Sequence, residues 1–203
     1  MTLTTPTDTV AERYEPLVVD ARERFFASRT VQILTDPSTD PDVLDAFLVH
    51  FCALGTQMTR PVDDWIRRAG AACVDAGFVE LGRALERHAD HEAGHDLMMV
   101  VDTNSLVARW NAARPDRPFD AAALLGRTPT RGVQRYIELH EGVIAGSRPF
   151  TQIAVEYEIE LLSVTAGPLL MGNVAAVCGE DRIRALTFLT DHIAIDEGHT
   201  AFN

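Results

Sequence analysis

The chain has 203 residues, 46% of them hydrophobic, and its eighteen basic against thirty acidic side chains leave a net charge of −12. That length suits one domain with a core of its own, and so acidic a surface is a poor partner for nucleic-acid phosphates or anionic membranes. All eighteen basic residues are arginine, which excludes a Schiff-base lysine and a Walker phosphate loop.

Cys52, Cys73 and Cys178 are odd in number and widely spaced, the pattern of reduced thiols in a cytoplasmic protein. Residues 1–9 are polar and threonine-rich, lack the features of a secretory signal, and are expected to be mobile. No stretch approaches eighteen uninterrupted apolar residues, so no membrane span is expected.

Apolar positions at Val10, Tyr14, Leu17, Val18, Ala21 and Phe25 predict a first helix over about 10–29. Turn formers between Thr35 and Pro41 end that region, and a second helix follows over about 41–59. Arg60-Pro61 interrupts it, a short third helix carries Trp65 to Ala69, and Gly70 and Gly77 bracket a connector. A fourth helix is predicted over about 78–101 and a short one near 104–113, before the Arg114-Pro115-Asp116-Arg117-Pro118 break. Residues 120–131 read as loop. Helices over about 132–146 and 149–171 follow, the second stopped by Gly172. The final helix starts near Gly179-Glu180-Asp181 and runs towards the end of the chain. No β-branched alternation suggests a sheet. The expected class is all-α, one bundle of about seven or more helices over 10–203.

That final helix carries His192, Asp196 and His199, at offsets of four and three. On a helix these stack on one face, and Leu186 and Leu189 on the same stripe turn that face to the core. Two imidazoles and a carboxylate on one face are an N,N,O donor set for iron, manganese or zinc. The competing reading is an exposed polar helix end. Earlier, Glu92-x-x-His95 is the carboxylate–histidine step of di-iron sites in helical bundles. His88 shares that face, as a ligand or as a group of the surrounding pocket. Glu86, Asp90, His91 and Asp96 read as solvated.

A two-metal site needs further carboxylates, and 149–171 offers Glu156, Glu158 and Glu160. Glu160 lies beside the apolar stripe of Ile153, Tyr157, Leu161 and Val164 and is chosen as ligand, with Glu156, one turn earlier, as the alternative. Glu158 points away towards solvent. The resulting set is Glu92, His95, Glu160, His192, Asp196 and His199. It is rich in oxygen, supported by imidazole and free of thiolate, and fits iron or manganese better than structural zinc. His140 and Tyr157 are further pocket candidates, with ordinary satisfied helix residues as the competing reading.

These motifs resemble the heme-oxygenase-like di-iron oxidases and oxygenases, also known as iron-containing redox enzymes. The resemblance is carried by Glu92-x-x-His95, the lone Glu160 and His192-x-x-x-Asp196-x-x-His199, across about 90–203; the N-terminal half matches as a helical layout. It implies a heme-oxygenase-like bundle in which these residues hold two irons. O2 would be the co-substrate and a small molecule would be oxidised by N-oxygenation, desaturation or oxidative C–C cleavage in a biosynthetic setting. Two departures stand out. His88 occupies a position that is glutamate in some relatives, and the chain ends four residues after His199, where relatives continue, so either a C-terminally truncated form or a last helix that orders only with metal bound is expected. Monomer and homodimer are both left open.

Three alternatives compete. A ferritin-like di-iron bundle would pair Glu92-x-x-His95 with Asp196-x-x-His199, but 46–62 supplies no acidic residue for its other half. A metal-independent TenA-type enzyme would use a cysteine nucleophile, for which Cys178 is the candidate. The third is a metal-binding helical bundle without catalysis. A heme reading requires a proximal histidine on the first helix, whereas the first histidine is His50 on the second.

Overall fold

Helix follows helix through the chain, and no strand occurs among the described residues, in a computed structural model that describes residues 10–199 and the side chains of 10–193. The predicted first helix divides. A π-helical turn at Val10–Tyr14 leads into α1 (Glu15–Phe26), and Ser28, accepting from the Val31 N–H, caps a separate α2 (Arg29–Thr35). α3 (Pro41–Thr59) has the expected bounds; Asp40 caps it and Pro41 takes the first position, where its missing N–H costs nothing.

α4 (Val62–Asp75) runs through Gly70 instead of ending there. Gly70 is where the next helix crosses: a Cβ on Gly82 would lie 2.5 Å from the Gly70 carbonyl oxygen, so the two backbones touch. Gly77, at φ +90°, turns the chain into α5 (Val79–Glu92). The predicted helix over 78–101 is broken at Ala93-Gly94, and α6 (His95–Ala113) then runs unbroken over the segment read as a separate short helix.

Asp120 caps α7 (Ala121–Leu125) inside the segment read as loop, and Thr130 caps α8 (Arg131–Ile144). After a 3₁₀ turn at Pro149–Thr151, α9 (Gln152–Cys178) continues past Pro168 and past Gly172. Tertiary anchors just beyond Gly172 account for the continuation. Asn173 donates to the carbonyls of Leu34 (2.8 Å) and Asp36 (3.1 Å), and Val174 is fully buried. α10 (Glu180–Ile183) and α11 (Thr187–His199) divide the predicted final helix.

Two apolar cores result. One joins Leu48 and Cys52 of α3, Met99 and Leu106 of α6, Val174 of α9 and Leu186 and Leu189 beside or on α11. The other joins Trp65, Ile66 and Cys73 of α4 to Leu85 and Ala89 of α5, with Tyr136 and Ile137 of α8 against it. α5 thus belongs to the second core and α6 to the first, and Gly94 marks the crossing. Asp45 of α3 receives Arg182 at 2.6 and 2.9 Å, tying α10 to the first core.

By length and composition alone, the helical stretch 149–178 is apolar enough to cross a membrane, although polar residues interrupt it, with a mean hydropathy of 1.7 over eighteen residues. In this fold it turns Gln152, Glu156 and Glu160 inward to the bundle.

Candidate metal centre

Five buried side chains converge where α5 ends, α6 begins and α9 and α11 pass: His88, Glu92, His95, Glu160 and His192, none more than 8% exposed. His88 and Glu92 are one turn apart on α5, on the face that also buries Leu85 and Ala89. His95 opens α6 and places Nδ1 2.8 Å from Glu92 Oε2. His88 bridges to the other carboxylate, with Nε2 3.2 Å from Glu160 Oε1 and 3.6 Å from Glu92 Oε1. His192 stands beside His95 with ring centroids 4.6 Å apart. One ligand atom from each of Glu92, His95 and His192 can be chosen so that all lie within 4.8 Å of one another.

The step Glu92-x-x-His95 is therefore not carried on one continuous helix. Glu92 is the last residue of α5, His95 the first of α6, and Gly94 between them has φ +92°. In that left-handed region a side chain is strained and glycine is not. The signal was present in the sequence as a glycine, but it sits among strong helix formers and was read through.

Burial pushes the Glu92 carboxyl up, but the hydrogen bond with His95 and the fields of His192, His95 and His88 outweigh it and hold it below the ordinary value. A buried carboxylate held below its ordinary value beside imidazoles is a donor set that suits a divalent metal. The residues present fit iron or manganese: carboxylate and imidazole, no thiolate.

Glu156 is buried one turn before Glu160. Its Oε1 accepts from Gln152 Nε2 at 2.5 Å, and Gln152 also meets His140 Nδ1 at 2.6 Å. Burial raises Glu156 to about 8, with Glu92 adding to the rise; burial lowers His140 to about 4. His140 lies flat on Trp65 at 4.2 Å and edge-on to Tyr136. It is thus a buried neighbour of Glu156, reached through Gln152, which sequence reasoning missed. Tyr157 goes elsewhere, against Tyr14 at 5.8 Å and bonded to Glu15. Glu158 is not simply solvated: Arg22 pairs with it at 2.7 Å and Tyr14 donates to it. Glu86, Asp90 and His91 are exposed as read, but Asp96 is half-buried and meets Arg60 at 3.3 Å. Asp196 and His199 lie on α11 one and two turns beyond His192, and their side chains fall outside the described residues.

Two rival sites find little support. His50 is bonded by Arg127 at 3.3 Å and stands edge-on to Phe119. Cys178 closes α9, eighteen residues after Glu160 and so about 27 Å along the axis. Burial raises its thiol, the wrong direction for a nucleophile.

No family model matches the sequence, and neither does any curated protein. Among solved structures, a crystal structure of a domain of unknown function with a heme oxygenase-like fold, from Shewanella denitrificans OS217, superposes with a TM-score of 0.73. The match covers 98% of this chain and 77% of that one at 16% identity. With its helices, its site and this superposition together, the chain has the heme oxygenase-like all-α fold.

Proposed function

We propose that this chain is a non-heme di-iron oxidase or oxygenase that uses O2 to oxidise a small molecule. One observation carries the reading: Glu92, His95 and His192 come from three helices, are buried, and can bring their ligand atoms within 4.8 Å of one another. A second carboxylate, Glu160, stands across His88 from Glu92, where a second metal would need it. Asp196 and His199 would complete the set by their helical offset from His192.

Glu92, His95 and His192 would hold one ion and Glu160 with His88 the other, with iron or a mixed iron–manganese pair equally suited by donor type. Bound there, the metals supply the redox chemistry for N-oxygenation, desaturation or C–C cleavage. Glu92 Oε2 lies 2.8 Å from His95 Nδ1, a contact that orients the His95 ring. Phe188, stacked on His192 at 4.5 Å, fixes that ring and shields it from solvent. The buried walls exclude water from the reacting atoms.

Metal analysis of protein from iron-supplemented cells should return two irons per chain. Anaerobic Fe(II) loading followed by air should give a transient visible absorbance, abolished in the His192→Ala/Asp196→Ala double variant. An iron-free protein, or an absorbance that survives the double variant, would sink the assignment.

A further inference from the structure

Leu186 stands at the N-cap position of α11, where an apolar side chain accepts no hydrogen bond. It is fully buried and leaves the first N–H groups of the helix to other acceptors. The acceptor comes from another helix. Asp102 of α6, 1% exposed, takes the Thr187 hydroxyl on Oδ1 at 2.7 Å and the Phe188 N–H on Oδ2 at 2.9 Å. A carboxylate there also faces the positive end of the α11 dipole.

Asp102 stands seven residues after His95, two turns along the same face of α6. That face therefore grips α11 twice: Asp102 at Thr187 and Phe188, and His95 at Phe188 and His192. The two helices run antiparallel between these grips. Asp102 is about 10 Å from His95 along the axis, with both oxygens engaged, so it is not a ligand.

We propose that Asp102 is a positioning residue of the metal centre, which caps the last helix from outside and so holds His192 against His95 and Glu92. The inference rests on the proposed metal centre and adds to it a residue that touches neither metal nor substrate. The helix bearing His192, Asp196 and His199 then starts in the right place because α6 dictates where it starts.

The test uses Co(II) as a coloured probe in place of iron, with amide hydrogen exchange of the metal-free full chain. Asp102→Ala should lower Co(II) affinity about 10- to 100-fold, the range for residues that orient ligands, and should cut protection across 188–193. Thr187→Val, which removes one of the two contacts, should give a smaller loss of the same kind. Asp102→Asn should recover most of the affinity, since its carbonyl oxygen still accepts from Phe188. Arg114→Ala cuts ion pairs to Asp42 and Asp45 at the far end of α6; it should lower stability without moving Co(II) affinity. Wild-type affinity in Asp102→Ala, or an equal loss in Arg114→Ala, overturns the proposal. Should Asp102→Ala not fold, wild-type affinity and protection in Thr187→Val overturn it instead. A wild-type chain that takes up no cobalt defeats the metal reading itself, whereas equal binding by wild type and Asp102→Ala defeats only the cap.

Discussion

Glu92 shows how neighbours decide the state of a buried acid. Desolvation pushes it up, and the hydrogen bond with His95 and the fields of three imidazoles hold it below its ordinary value. Glu92→Gln keeps the shape and removes the charge; metal affinity should fall at least tenfold, read by Co(II) titration, while the helical circular dichroism is retained. Glu156 is the opposite case. Its folded value near 8 lies above the unfolded 4.5, so the folded chain holds a proton that the unfolded chain has lost. Its contribution is full below about pH 4.5 and drains away as pH rises through about 8. His140, lowered to about 4 from 6.5, contributes above 6.5 and loses that contribution as pH falls through about 4. Urea denaturation of the metal-free chain between pH 5 and 9 should show an alkaline decline, on the order of a few kcal/mol. Glu156→Gln should flatten it, and an unchanged decline would show that another group is responsible. The burial of Glu92, Glu160 and His192 was legible, because helical offsets put them on inward faces. The ion pair of Glu158 was not, because its partner Arg22 lies 136 residues away.

At the scale of elements, Gly94 is the decisive joint. Gly94→Ala forces a Cβ into φ +92° but meets no atom within 4 Å, so its whole cost is backbone strain, about 1–2 kcal/mol. Denaturant midpoints should show that loss, and metal affinity should fall with it because His95 shifts relative to Glu92. A loss in stability with unchanged affinity would show that the joint does not set the ligand geometry. Breaks in the sequence were misjudged in both directions. Gly172 looked like an end and is not, because Asn173 and Val174 are anchored beyond it. Ala93-Gly94 looked continuous and is not, because only the tertiary route from one core to the other requires the turn. Asp102 escaped notice for the same reason: it caps a helix 85 residues away.

For the whole molecule, the class and the bundle were legible from helical periodicity, and the heme oxygenase-like arrangement from the order of three short motifs. The division into two cores was not, since both draw on the same kinds of residue. Ligand binding to the folded state alone raises its stability, by about 2.7 kcal/mol at a hundred times Kd. Anaerobic Fe(II) should therefore raise Tm, and a chelator should return it; a Tm indifferent to both would speak against a buried site. The crossing at Gly94 has a further consequence for cooperativity. Amides of α4 and α5 and those of α3 and α6 can open as separate foldons, since the chain passes between the two pairs through short turns at Arg60-Pro61 and Ala93-Gly94. An ion held by Glu92 on one side and by His95 and His192 on the other would make neither able to open without breaking its coordination. In native-state hydrogen exchange, two opening free energies in the metal-free chain should merge into one when metal is bound.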